Sequence, residues 1–482
     1  MARVVVIGAG IGGLSAAARL VATGHRVTVL EQGSDVGGKL GWLEVAAPLD
    51  DPADPAARFR FDTGPSLLTM PQVFTDLFDA TGDPLDQTLT VTPLDPIAHY
   101  RFGDGIEYDA DELTDDADWR RLMDRAGRMW RATAPTFLEA PGPPSLLGLA
   151  RRSPADLPLI APHRSLRDLG RQYLSDPHQR MFLDRYATYT GSDPRRAPAV
   201  LATVAFAEQT YGGWYVQGGL HQLARALAER AGTVRTDTRV SSIDTAGGRV
   251  CAVRLADGGR IAADVVVANA DATALYRDLL PRPRLVPRAE PSLSGLVLLL
   301  GLAGKTPGLR HHTVLFPDGY PEAYDAEFDS VFGGRMPTDP TVYISAPPDR
   351  TVAPAGGEAW FVLVNAPRHG TGPGCLDWDA PGRAAAAAER VLEIMAERGH
   401  DVRGRIRTRT VITPADLERR TGTPGGAIYG SSSNGAGAAF RRPANRSPVP
   451  GLFLASGSAH PGGGLPLVAM SGRAVAQLIG SA

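Results

Sequence analysis

The chain has 482 residues, 43% of them hydrophobic, and a formal net charge of −2. That length exceeds what one simple core supports and predicts two domains or an interleaved pair, while the balanced charge excludes the basic footprint of a nucleic-acid binder. No apolar run approaches the ~18 residues of a membrane span, and Cys251 and Cys375 form neither a CxxC motif nor a disulfide framework, which points to a reducing compartment.

The opening MARVVVIGAGIGGLSAAARL has the basic start and apolar stretch of a secretory signal. Its glycines between Gly8 and Gly13 would make a poor hydrophobic helix, so an intracellular protein is expected. The same residues fit another pattern. A β-branched run, Val4 to Ile7, predicts a buried strand, followed by GxGxxG at Gly8, Gly10 and Gly13 and an alanine-rich helix ended by Gly24. Val27 to Leu30 predicts a second strand, with Glu31 at its end. In such a unit Gly8 permits the tight turn, Gly10 lets backbone approach a pyrophosphate, and Gly13 allows close helix–sheet packing. The phosphates meet a helix N-terminus, where free N–H groups favour negative charge. Glu31 can accept from a ribose diol, which disfavours a 2'-phosphate and hence NADP. Gly37-Gly38-Lys39 adds a second permissive turn and a cation able to neutralise phosphate.

Further along, Pro141 to Pro162 mixes prolines, apolar clusters and Arg151-Arg152; it reads as a surface excursion or as a monotopic membrane patch. Ser165 to Asp168 is a capping box, and Asp176 caps a helix with Pro177 at its first position. Phe182, Tyr186 and Tyr189 fall on one helix face, as core or as a channel wall. Glu208 and Asp184 sit in apolar neighbourhoods as acid/base groups or salt-bridge partners. Trp214 and Tyr215, bracketed by glycine pairs, are expected near a cofactor or substrate tunnel. A helix from His221 to Arg230 precedes alternating strands with hairpin turns at Gly247-Gly248 and Gly258-Gly259. His311-His312 offers no metal set, because adjacent strand residues face opposite sides. TVYISAP and AWFVLVNAP predict strands, PGRAAAAAERVLEIMAERG a helix, and GLFLAS (Gly451 to Ser456) a short buried strand. SGSAHPGGGLPLVAMSG (Ser456 to Gly472) then completes a strand, glycine-rich turn and helix, a backbone shape made for close approach to a ligand. His460 precedes that turn, as an acid/base group or a turn-stabilising histidine.

The run from the glycine loop through EQGSDVGGK, with FDTGPSLLTMP (Phe61 to Pro71), ADVVVANADATALYRDLLP (Ala263 to Pro281) and HHTVLFPDGY (His311 to Tyr320), resembles the flavin amine-oxidase superfamily. It is most similar to the bacterial phytoene-desaturase, or carotenoid desaturase, branch, over nearly the whole chain. The resemblance implies an α/β fold: a doubly wound, Rossmann-like FAD-binding domain (1–95, 201–275, 415–482) interleaved with a mixed sheet-and-helix substrate domain (96–200, 276–414). It implies FAD held by Gly8, Gly10, Gly13, Glu31, Lys39, Gly64 and Val240 on the nucleotide side. Gly457, Ser458, Gly464, Leu467 and Val468 would hold it at the ring end, with no metal. Many relatives have Gly-Asp where this chain has Gly457-Ser458, which removes a carboxylate contact to the ribityl chain.

The implied chemistry is removal of two hydrogens from a polyisoprenoid C–C bond, with hydride passing to flavin. Glu208, His460 and Trp214 are the candidate catalytic residues. A single GxGxxG favours electrons arriving from substrate and leaving to oxygen or a quinone. The substrate, a long apolar carotenoid, implies a cytoplasmic protein peripheral to the inner face of the cell membrane. Phytoene desaturation proper, a redox-neutral carotenoid isomerase and a flavin amine oxidase share the frame. The C-terminal stretch from Gly426 resembles the hydroxycarotenoid 3,4-desaturases more than phytoene desaturases, which show a Gly-Thr-His-Pro-Gly-Ala-Gly turn. A tertiary hydroxyl would need one polar partner in the tunnel, and Ser431 to Asn434 are the expected supply.

Overall fold

The computed structural model describes residues 1–47, 57–140, 151, 157–280 and 289–482. Valine-rich runs buried on both faces build parallel sheets, and Arg3–Ile7 and Val265–Ala268 are such runs. They lie at the middle of a five-stranded parallel sheet ordered Thr233–Arg235, Arg26–Leu30, Arg3–Ile7, Val265–Ala268, Leu452–Leu454. On one face Val4, Val6, Val27 and Val29 pack with Leu14, Leu20, Leu223 and Val475 of three helices, Ile11–Ala22, His221–Arg230 and Leu465–Ile479. On the other, Val5, Ile7 and Val266 meet Ile243 and Val253 of an antiparallel meander, Val240–Ala246, Arg249–Leu255, Arg260–Ala262.

The first and last helices cross almost in backbone contact. A Cβ on Gly472 would lie 2.8 Å from the Gly12 carbonyl, and one on Gly12 would lie 2.3 Å from the Ala455 carbonyl. A Cβ on Gly13 would reach 2.3 Å from the Gly8 carbonyl, the close helix–strand packing expected of that glycine. These contacts bring the N-termini of both helices to the carboxyl end of the sheet, where ligands bind in open α/β folds.

A second, seven-stranded sheet runs Ile406–Ile412, Ser294–Ala303, Gly357–Ala366, Val342–Ser345, His312–Leu315, His99–Arg101, Glu107–Asp109. It is antiparallel except where His312–Leu315 pairs with His99–Arg101. Alternation along Ser294–Ala303 turns Leu296, Leu298 and Leu300 toward the Arg383–Glu397 helix, and Val297 and Leu299 toward Phe59 and Phe361. A helical layer of Ala117–Phe137, Pro177–Arg185 and Ala202–Tyr211 closes the cavity from the other side.

The parallel sheet draws on residues 1–95, 201–275 and 415–482, and the seven-stranded sheet on 96–200 and 276–414. The Ala202–Tyr211 helix nonetheless packs on Ala117–Phe137, so the layer over the second sheet extends past residue 200. The aromatic stripe divides at a change of helix type: Pro177–Arg185 is α-helical and Tyr186–Thr190 a 3-10 turn. Phe182 and Tyr186 are fully buried, while Tyr189 faces the cavity. His311 precedes its strand, so strand alternation does not separate it from His312; the two rings lie 4.4 Å apart. Most of Pro141 to Pro162 lies outside the described residues.

Candidate active site

One cavity of about 930 Å³ runs from the first glycine loop to the helical layer. At its nucleotide end stand Gly8, Gly10, Glu31, Gly64 and Val240. Gly8 needs its glycine for a φ of +96°, and a Cβ on Gly10 would fall 2.4 Å from Asn269 Oδ1. Asn269, which motif reading missed, accepts from the Gly10 N–H at 3.0 Å and donates to the Ala455 carbonyl, tying the first loop to the last strand. Its signal was positional: it follows Val265–Ala268, the strand paired beside the first.

Glu31 is buried, and its Oε2 and Oε1 accept from the Ala9 and Gly33 N–H groups, both at 2.8 Å. The acid thereby shapes the loop as well as facing the cavity. Lys39 lines the cavity too, but its Nζ donates to the carbonyls of Ala427 and Ile428 at 2.8 and 2.7 Å. Burial pushes its pKa down to about 8. Two of its donors thus clamp the second glycine turn to residues 427–428 while the cation stays on the cavity wall. A Cβ on Gly64 would lie 2.0 Å from the Lys39 carbonyl, so that glycine serves the same clamp.

At the other end of the nucleotide cradle stand Gly457, Ser458 and Gly462 to Val468. Gly464, at φ +111°, caps the final helix and has open space where a Cβ would be. Val468 N–H is taken by the Gly464 carbonyl and Pro466 has none, so the helix start presents Leu467's N–H while Val468 offers its side chain. Ser458 Oγ accepts from the Ala272 N–H at 2.8 Å, which commits it to the start of the short helix Ala272–Ala274. Beside this turn lies a second residue that motif reading missed. Arg442 is buried, and its guanidinium donates to the carbonyls of Tyr429, Ser431 and Gly457. Burial pulls its pKa down to about 10.

The remaining cavity is a chamber. Val297, Phe361 and Leu363 of the second sheet face Val204 and Ala207 of Ala202–Tyr211 across it. Several polar residues interrupt this wall, among them Thr203, Asn365 and Glu208. Glu208 is buried and lines the cavity; its Oε1 accepts from Tyr186 and its Oε2 from Tyr189, at 2.7 and 2.8 Å. The expected salt bridge is therefore a pair of phenol contacts. Asp184 does pair with a cation, Arg167, away from the cavity.

Two candidates move away from the chemistry. Trp214 is not on the cavity wall: its indole donates to the Tyr211 carbonyl at 2.7 Å, and its ring packs on the nucleotide-domain core. The adjacent glycines serve packing, since a Cβ on Gly213 would meet Ile97 at 2.7 Å. His460 stands behind the wall, edge-on to Phe137, which does face the cavity. Burial pushes the His460 imidazole down to about 4, so near neutral pH it is uncharged. Neither side chain lines the cavity. Of Ser431 to Asn434, Ser433 lines the cavity, whereas Asn434 Oδ1 is spent on the Asp193 N–H.

A glycine-walled loop at one helix N-terminus, a buried acid beside it and a second helix N-terminus facing the same cavity fit an FAD. Comparison with known proteins agrees. The family described as flavin containing amine oxidoreductase matches residues 11–307. A 4,4'-diapolycopene oxygenase from Methylomonas is 35% identical over 98% of this chain and 97% of its own. A hydroxyneurosporene desaturase from Cereibacter sphaeroides is 34% identical over 99% and 97%. A 1-hydroxycarotenoid 3,4-desaturase from a Flavobacterium is 30% identical over 99% of both. Among solved structures, a putrescine oxidase variant superposes with a TM-score of 0.65 over 99% of this chain and 98% of its own, at 16% identity, a likeness of fold.

Proposed function

Because the chain belongs to the flavin containing amine oxidoreductase family, within its carotenoid desaturases and oxygenases, we propose that it is an FAD-dependent desaturase of an acyclic, already hydroxylated carotenoid. The observation that carries this reading is the continuity of one cavity from the dinucleotide cradle into an apolar chamber. FAD, when bound, accepts the hydride that leaves an allylic carbon. Everything else falls to the chain. Val297, Phe361 and Leu363 on one side and Val204 and Ala207 on the other exclude water and align a hydrocarbon. Glu208 is the carboxylate on that wall, and we assign it the neighbouring proton. Trp214 and His460 take no part in this assignment.

Such a substrate partitions into lipid, which supports peripheral contact with a membrane; no helix among the described residues is long and apolar enough to cross one. Electrons would leave to oxygen or a quinone. A second reading, oxygenation of the carotenoid, is favoured by the diapolycopene oxygenase at 35% identity. Product mass separates the two. Reconstituted holoenzyme given a 1-hydroxy acyclic carotenoid in liposomes should yield a product lighter by two hydrogens. A product heavier by oxygen would replace the first reading with the second.

A further inference from the structure

Arg185, at the end of the Pro177–Arg185 helix, stands near Glu208 on a chamber wall that is largely apolar, with Thr203 and Asn365 among its uncharged polar members. Its guanidinium lies between the rings of Tyr100, Tyr189 and Tyr343, 5.3–5.9 Å from their centroids. Burial alone would lower its pKa, but Tyr189, Tyr100 and Glu208 outweigh that and keep it charged. Arg185 Nη1 donates to Tyr189 Oη at 3.2 Å, and Tyr189 in turn donates to Glu208 at 2.8 Å. Cation and carboxylate are thus joined through a phenol rather than in direct contact. A guanidinium carries five N–H donors. Among the described residues one of Arg185's has a protein partner, and the side chain opens on the cavity.

Position adds to this. Arg185 begins a turn, Tyr186–Thr190, that contains Tyr189 and ends at Gly191. A Cβ on Gly191 would lie 2.9 Å from one edge of Tyr429, and a Cβ on Gly463 would lie 2.8 Å from the other. The width of one tyrosine ring therefore separates Gly191, at the far end of the turn that Arg185 begins, from the glycine turn assigned to FAD. A half-buried cation whose unused donors face the cavity needs acceptors once a ligand displaces water from them. A hydrocarbon cannot. An oxygen on the carotenoid end group can.

We propose that Arg185, positioned by Tyr189, binds the end-group hydroxyl oxygen of the substrate and so selects hydroxylated carotenoids over the hydrocarbons of the same length. The inference rests on the desaturase reading and names the residue behind its specificity. It also fits the geometry implied by the relative's name, 1-hydroxycarotenoid 3,4-desaturase. There the carbon that bears the oxygen is two carbon–carbon bonds from the nearest reacting carbon, so the group that binds the oxygen must stand close to the redox centre. Ser431 to Asn434, the expected supply of that polar partner, yield the role to Arg185. Glu208 remains available to the proton.

The test offers FAD-loaded enzyme a 1-hydroxy acyclic carotenoid and the unhydroxylated analogue with the same polyene, each in phosphatidylcholine liposomes, and compares kcat/KM. A site built around a hydroxyl discriminates strongly against its absence, so the wild type should favour the hydroxylated compound by at least about tenfold. Arg185→Met and the near-isosteric Tyr189→Phe should each bring the ratio close to one. Bound FAD and its visible spectrum report folding, and if Arg185→Met loses flavin, Tyr189→Phe decides alone. A wild type that converts both compounds equally, or a ratio unchanged in the variants, overturns the inference and leaves the desaturase reading standing. A wild type that converts neither overturns the reading itself.

Discussion

Replacing Glu31 by alanine separates two jobs that the structure gives one carboxylate. The acid accepts from the Ala9 and Gly33 N–H groups at 2.8 Å each, holding the loop that shapes the nucleotide cradle, and it lines the cavity where a ribose diol would lie. Hydrogen bonds to a charged group contribute roughly 1.5–3 kcal/mol each. Loss of one ribose contact of that size weakens FAD binding about ten- to a hundredfold, at 1.4 kcal/mol per decade. Loss of the two loop contacts falls on the apoprotein instead and lowers its stability before any flavin is added. The assay is quenching of FAD fluorescence on titration with apoprotein, alongside the denaturant midpoint of the same apoprotein. The account requires both to change. A lowered midpoint with unchanged FAD affinity would make Glu31 a loop clamp and refute its role toward the ribose.

The chamber should be open to blockade: Val204→Trp should cut carotenoid turnover tenfold or more without lowering FAD content, and unimpaired turnover would place the substrate elsewhere. Gly12→Ala drives a Cβ to 2.3 Å from the Ala455 carbonyl and should cost about 1–3 kcal/mol as overpacking does, read as a lowered urea midpoint. His460 carries a pH signature. Its imidazole is held near 4 when folded against an ordinary value of about 6.5, so the unfolded chain takes up the proton first. The stability that neutral His460 supplies is complete above about pH 6.5 and is lost as pH falls toward 4. His460→Gln should lose less stability than wild type between pH 7 and 5; equal losses would contradict the assignment.

The parallel sheet was legible because its strands are continuous apolar runs joined by glycine punctuation. Val4 to Ile7 and the run before Asn269 announce both-face burial, and Gly13 sits against the Gly8 carbonyl as its place in the motif requires. The tight backbone at Gly8 and Gly10 was legible for the same local reason. The chamber was not, since its polar wall is assembled from distant pieces. Glu208 could be singled out as an acid in an apolar stretch, yet its partners Tyr186 and Tyr189 reach it only through the 3-10 turn that follows Arg185. Arg442 and Asn269 act through backbone carbonyls and one amide N–H, contacts that no residue spacing encodes. Trp214 and His460 were singled out because glycine neighbours suggested approach to a ligand, whereas Gly213 admits Ile97 to the strand and Gly463 lies against Tyr429.

The most direct test of the central claim is anaerobic mixing of the FAD-loaded protein with a 1-hydroxy acyclic carotenoid in liposomes, following flavin absorbance near 450 nm and the polyene bands together. The account predicts that flavin bleaches while the polyene lengthens by one double bond, one product per flavin reduced, with the colour returning when oxygen or a quinone is admitted. Flavin that stays oxidised while the carotenoid is unchanged or merely isomerised would contradict it.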